Sequence, residues 1–317
     1  MRHDDQQPEG DVRSWRRRIQ ALHCTEGRFV LDQIDKGHKS AAFRTYDARM
    51  IRTTARHFFR WLRRVAIALL VLLLGPGVML VTGDVVGADW RSASRKPAGL
   101  APDPSENRQA VVQVYAARAF SWRGAFGVHT WIAVKPTDAE QYTVYHILGW
   151  RTRYSGSGLA IGRDQPDRHW FGAEPQVLAQ LEGEGVDDII ARIDAAARRY
   201  PYDREYGLWP GPNSNTFTSW VARQVPELRL DLPPTAIGKD YLGHDTFFDR
   251  AVSGTGYQAS LFGLIGVTLA VEEGLEINLA GMTFGIDPND LNLKLPGVGR
   301  VGPAPDPVRL LRQGADG

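Results

Sequence analysis

Cysteine is almost missing from this 317-residue chain, and the one residue present, Cys24, excludes an internal disulfide and any cysteine-built metal centre. Cys24 precedes the long apolar run, so a domain beyond that run holds no thiol. This removes a cysteine nucleophile from its chemistry and leaves it compatible with an oxidising compartment. Charge of either sign is missing from residues 65–83 (VAIALLVLLLGPGVMLVTG). The sequence has no Walker phosphate loop, no dinucleotide fingerprint and no internal repeat; Gly297-Val298-Gly299-Arg300 is too short and too late to count. His129, His146 and His169 lack close ligand spacing, so neither a metal nor a cofactor is expected.

The net charge of +2 conceals an asymmetry, because residues 1–64 carry +7 and residues 82–317 carry −5. The basic excess lies directly before the apolar run instead of being mixed with aromatics in a folded domain, which disfavours nucleic acid as a partner and favours a membrane. Nineteen residues form a helix of about 28 Å, against a hydrocarbon core of about 30 Å. Arg56, Arg60, Arg63 and Arg64 precede the run and Asp84 and Asp89 follow it, so the positive-inside rule puts the N-terminus in the cytoplasm and the main domain across the membrane. Gly75-Pro76-Gly77 is expected to break the helix after ten apolar residues, the length of a signal-peptide core, and Val86-Gly87-Ala88 supplies small residues for cleavage. A retained anchor is the preferred reading and a cleaved signal the alternative. A buried helix of a soluble protein fits poorly with Gly-Pro-Gly. Met50 opens a compact basic segment leading into the run, which makes it the expected start of translation.

The expected organisation is a basic, disordered extension over 1–49, an anchor or signal over 50–85, a linker rich in Pro, Ser and charge over 86–108, a core domain over 109–253, a β-hairpin region over 254–303 and a tail over 304–317. The core reads as α+β, an antiparallel sheet with a few helices. Strands are expected over 111–117, 128–135 and 142–150, the last two joined by a turn at 136–141. Helices are expected over 175–181, over 186–200, where Ile189, Ile190, Ile193 and Ala197 fall at helical spacing, and over 216–225. Pro201 and Pro226 stop the last two. Residues 257–271 and 275–286, joined by Glu272-Glu273-Gly274, read as one long hairpin whose glycines and short apolar run argue against a second span.

The most distinctive segment is Trp209-Pro210-Gly211-Pro212-Asn213-Ser214-Asn215-Thr216-Phe217 at a helix start. Ser214 there would meet free backbone N–H groups and the positive end of the helix dipole, where a nucleophile and an oxyanion hole belong. Alternatively Ser214, Asn215 or Thr216 is the helix cap, the ordinary use of such residues at that place. A serine needs a base, and His129 and His146, on neighbouring strands, are the candidates. Alternation puts Trp131 on the face of His129. Lys239-Asp240 and Asp231 read as solvated or paired surface charges, and Trp122, Trp131, Trp150, Trp170, Trp209 and Trp220 either pack the core or form a carbohydrate-stacking cleft.

The segments His129-Thr130-Trp131-Ile132-Ala133-Val134-Lys135-Pro136, Trp209 to Phe217 and Leu232-Pro233-Pro234-Thr235-Ala236-Ile237-Gly238-Lys239-Asp240 resemble the bacterial membrane family called domain of unknown function 3750, over about residues 109–303. That family has no assigned activity; the resemblance implies a bacterial inner-membrane protein with a periplasmic main domain. A more distant resemblance is to circularly permuted papain-like proteins, the lecithin:retinol acyltransferase-like group, in which a His-bearing strand precedes an Asn-Cys-x-x-Phe motif. It implies His129 as base, His146 as the orienting residue and Ser214 as nucleophile, with Ser standing where that group has cysteine. Two functions follow. The domain binds an envelope component or protein partner without catalysis, using Asn213, Asn215, Trp209 and Trp131; or it is a serine-dependent hydrolase or acyltransferase acting on envelope peptide or lipid through Ser214, His129 and His146.

Overall fold

A computed structural model describes residues 26–82, 89–303 and 307–310. The expectations for Cys24 and for Val86-Gly87-Ala88 lie outside the described residues. The chain divides into two compact units, Met1–Ala68 and Leu69–Gly317.

Helix α1 spans Glu26–Thr82 and runs through Pro76. The expected break at Gly75-Pro76-Gly77 does not occur; Pro costs a helix one hydrogen bond but does not end it when its neighbours satisfy the freed carbonyl. Residues 26–49 are helical too, where a disordered extension was expected. Arg52–Thr82 is long and apolar enough to cross a membrane, and only 6% of its most apolar stretch is buried. A core helix of a soluble protein hides its apolar side chains, and this one leaves most of them uncovered.

The larger unit is α+β with two sheets. In the first, β1 (Val111–Arg118), β2 (Val128–Lys135), β3 (Thr143–Ile147) and β4 (Leu159–Arg163) form an antiparallel run, while β5 (Gln176–Glu182) pairs with the other side of β1. The short edge strand β13 (Val308–Leu310) joins β5 in parallel. Seven of the eight β1 residues are buried, as a central strand covered on both faces requires. Residues 175–181, expected as a helix, are strand β5. Gln, Leu and Glu carry helical propensity, but two flanking strands satisfy the backbone of this segment, and tertiary pairing overrides propensity. The expected third strand is shorter: α2 (Gly149–Ser155) starts where 142–150 was read as extended.

One face of this sheet is covered by α3 (Val186–Arg198) and α4 (Ser214–Gln224). Val186, Ile189, Ile190 and Ile193 of α3 follow the i, i+3, i+4, i+7 rule and bury against Val112, Val114, Ile132 and Val134, each large aliphatic chain contributing about 2 kcal/mol. Asp187 and Asp188 in its first turn and Arg198 in its last complement the dipole. The other face carries a second cluster of Val111, Tyr115, Trp131, Ala133, Tyr142 and Val144, on which Trp170 packs. Residues 89–108 are tied to this face: Leu100 donates its N–H to Asp167 at 2.7 Å and Gln113 reaches the Leu100 carbonyl at 3.2 Å.

The second sheet is a seven-stranded antiparallel meander of β6 (Phe248–Arg250), β7 (Gly256–Leu261), β8 (Ile265–Ala270), β9 (Gly274–Leu279), β10 (Met282–Asp287), β11 (Asn292–Leu295) and β12 (Gly299–Val301). The one long hairpin expected over 257–286 is thus several hairpins in series. Residues 257–271 turn back at Phe262-Gly263, both with positive φ (53° and 71°), a reversal that period-2 alternation does not reveal.

Candidate functional site

Strands β2 and β3 deliver His129, Trp131 and His146 to the sheet face away from the helices. The His129 and His146 ring centres lie 5.7 Å apart, and Trp131 stacks at 5.8 Å from His129. The closest neighbour comes from a loop: Trp170 stacks on His129 at 3.7 Å with an interplanar angle of 11°. A tight turn fixes Trp170, its N–H donating to the Ala173 carbonyl at 2.8 Å and its own carbonyl accepting from the Ala173 N–H at 3.1 Å, with Phe171 and Gly172 at positive φ. Trp150 of α2 lies over Trp170 at 6.1 Å and is 49% exposed, and Phe171 meets the Trp170 edge at 5.0 Å with the Arg95 guanidinium 4.8 Å above its own ring. Trp131 donates its indole N–H to the Pro166 carbonyl at 2.7 Å. The result is a stack of imidazole and indole rings that runs from the buried sheet to solvent.

Burial holds His129 well below the ordinary imidazole range, with the neighbouring His146 acting in the same direction. Burial, reinforced by the Arg168 and Arg151 charges, lowers His146 to about 4. Both rings are neutral at neutral pH. Nε2 of His129 and Nδ1 of His146 have no hydrogen-bond partner although both are buried. An orphaned nitrogen of this kind marks a position for a water or a polar ligand group. His169 is half-buried and its Nδ1 sits 2.9 Å from the Lys96 carbonyl; among the described residues no group of three His, Cys, Asp or Glu could hold a metal ion.

Ser214 lies elsewhere. Thr130, between His129 and Trp131, points to the helix face, its hydroxyl 3.2 Å from the Ser214 carbonyl, 3.0 Å from the Asn215 Oδ1 and 2.9 Å from the Thr218 hydroxyl. Successive residues of a strand alternate faces, so the sheet separates His129 from Ser214. The expected dyad is therefore not assembled. Asn213 is the helix cap, in place of the Ser214, Asn215 or Thr216 expected: its side chain accepts from the N–H of Asn215 and Thr216, and the Thr216 hydroxyl accepts from the Asn213 N–H at 3.1 Å, a reciprocal capping box. Asn213 and Asn215 also donate to the Ile237 carbonyl at 3.0 and 2.8 Å, fixing the following loop. Trp209 is apart from the imidazoles, 55% exposed, with its indole N–H on the Ala280 carbonyl at 2.7 Å. Of the expected residues, the structure brings together His129, His146 and Trp131.

Lys239, Asp240 and Asp231, expected at the surface, belong to a buried ionic network on the inner face of the second sheet. Glu276 lies between Lys239 and Lys294; Lys294 also contacts both Asp231 oxygens at 2.8 and 3.0 Å, and Arg300 holds Asp231 at 2.6 Å. Burial opposes the charge on Lys239, yet Asp240 and Glu276 beside it hold its pKa above the usual lysine range. Glu273 is pushed up to about 7 by burial and by Asp231, against two hydrogen bonds from Ser253. The signal was in Leu275-Glu276-Ile277-Asn278-Leu279 and Leu293-Lys294-Leu295, where polar residues recur every second position; their inward orientation was not readable from the pattern.

The fold and the site define a class: an α+β domain with a neutral imidazole–indole stack, in a chain that carries a membrane-span candidate. Residues 109–241 match the model of the family described as protein of unknown function (DUF3750). No curated protein and no solved structure matches the chain. The resemblance to permuted papain-like proteins gains no support from either the comparisons or the separation of Ser214 from His129.

Proposed function

We propose that the chain is a membrane-anchored binding protein of the bacterial inner membrane, whose main domain, in the periplasm, recognises an envelope component without catalysis. The ligand seat is the Trp150–Trp170–Phe171 platform, with His129 and Trp131 behind Trp170 as positioning residues and the His146 nitrogen beside it. The observation that carries this reading is the His129–Trp170 stack at 3.7 Å: it fixes an indole whose neighbour Trp150 faces solvent. A preorganised aromatic surface next to neutral hydrogen-bonding rings suits a ligand with an apolar ring face and hydroxyls, such as a glycan of the envelope.

The reading is tested by titrating the full chain in detergent with envelope glycan fragments and following tryptophan fluorescence. Saturable quenching that Trp150→Ala and Trp170→Ala abolish, and that Ser214→Ala leaves intact, is expected. Binding untouched by both tryptophan substitutions would overturn it. Covalent labelling of Ser214 by a fluorophosphonate would restore the hydrolase reading in its place.

A further inference from the structure

The second sheet is built inside out. Its polar positions point inward, with Gln258, Thr268, Glu276, Asn278, Thr283 and Lys294 all buried, while the alternate positions are apolar and open to solvent. Register aligns these into rows. Tyr257 pairs with Leu269, Leu269 with Leu275, Leu275 with Ile286, Ile286 with Leu293 and Leu293 with Val301. The rows beside it run from Ala259 to Phe284 and from Leu261 to Met282; from β7 to β12 no residue of the three rows is charged, and the first row ends on Arg250, which pairs with Tyr257 at the edge strand β6. Ile265, Val267, Leu269, Ile277, Ile286 and Leu293 are all exposed on it, and a continuous apolar face of this kind marks a membrane or partner surface.

Two observations say what covers it. The first is the apolar helix of the same chain, with its membrane-spanning composition. The second is a contact within the Leu69–Gly317 unit: a Cβ placed on Gly75 of α1 would strike the Pro296 carbonyl, and one on Gly297 would strike Pro76, so the turn between β11 and β12 sits directly on the helix. Seven residues separate Gly75 from the helix end at Thr82, about 10 Å of helix, so the edge of the sheet lies level with the apolar segment and not beyond it. Interfacial elements bury their apolar faces about 5–10 Å into the headgroup and acyl boundary, the same depth range.

We propose that the apolar face of this sheet is a lipid-contacting surface that lies against one leaflet of the bilayer. It rests on the membrane and does not cross it, because β6, the edge strand away from the helix, leaves an open edge whose backbone groups could not be satisfied in the hydrocarbon core. Trp209, whose indole is bonded to the β9–β10 turn at Ala280, and Phe262 of the β7–β8 turn stand at the rim of the face, where aromatic residues favour the headgroup layer. The buried ion network on the opposite side of the sheet gives the inverted alternation its reason: the charges are satisfied by the domain and the apolar chains by lipid.

The test uses the full chain in a Cys24→Ser background, with Val267→Cys, Ile277→Cys and, as a control on the exposed turn before β3, Glu140→Cys, each carrying an environment-sensitive fluorophore. In phosphatidylethanolamine/phosphatidylglycerol vesicles containing acyl-brominated lipid, the labels at positions 267 and 277 should shift to the blue and lose most of their emission, while that at 140 remains unquenched. Unquenched emission at both sheet positions would overturn the proposal. So would efficient cross-linking of the Val267→Cys variant to itself in those vesicles, which would make the face an interface between two copies. Leu293→Cys, from another strand, provides an independent reading if either label disturbs folding.

Discussion

Lys294→Met keeps the length of the side chain and discards its charge at the centre of the buried network. Lys294 is fully buried and meets Asp231 at 2.8 and 3.0 Å, Glu276 at 2.9 Å and the Glu273 carbonyl at 2.8 Å. Without it, three cationic groups (Lys239, Lys294, Arg300) balancing three carboxylates (Asp231, Asp240, Glu276) become two, leaving a net buried negative charge. Breaking a buried pair by removing one partner costs about 3–5 kcal/mol. At roughly 2–4 °C per kcal/mol for a unit of this size, the midpoint should fall by about 10 °C. Thermal unfolding of the full chain in detergent, followed by tryptophan emission, reads this directly. Lys294→Met/Asp231→Asn, which restores neutrality, should recover part of the loss. A fall of under about 2 °C for the single variant would mean that water solvates the network and would refute the reasoning.

Glu273 and His146 bracket the pH range of stability with opposite signs. Glu273, raised to about 7, favours the protonated form in the folded state, so stability is full below its unfolded value of 4.5 and declines as pH rises toward 7; Glu273→Gln should flatten that decline, by about 3 kcal/mol at 1.36 kcal/mol per unit. His146, depressed to about 4, stabilises fully above its unfolded value of 6.5 and loses this as pH falls through 4; His146→Gln should reduce the acid loss seen in denaturant titrations at pH 4 and pH 7. Asn213→Ala removes the cap of α4 and should destabilise by about 1–2 kcal/mol in denaturant unfolding, whereas Ser214→Ala should change stability by less. A fluorophosphonate probe should leave the wild type unlabelled, since Ser214 and His129 are on opposite sheet faces. An alkaline phosphatase fused after Gly317 should be active, as the positive-inside arginines require of a translocated domain.

Local rules made much of the molecule legible in the sequence. The boundaries of β2 match because Gly127 and Pro136 punctuate eight residues of strand character. The buried stripe of α3 follows from helical spacing, and the apolar run before Asp84 needs no tertiary context to be read as a span candidate. The proximity of His129 and His146 also followed from adjacent strands. What failed did so where alternation leaves a choice of face. The period of two puts Thr130 opposite His129 and Glu276 opposite Ile277, but it cannot say which side receives a helix and which an indole from a loop some forty residues away. Residues 175–181 failed for another reason, since the partners that make them a strand are β1 and β13, remote in sequence.

By itself, then, the sequence determined the membrane-span candidate, the α+β class and most element positions, since each depends on interactions among near neighbours along the chain. Only the tertiary structure decided that the serine and the imidazoles lie on opposite sides of the first sheet, that Trp170 completes the ring stack, and that the second sheet keeps its charges inside and its leucines outside. Those outcomes depend on which surface meets which, and burial energies favour one pairing of faces only once every strand and helix that competes for them is in place.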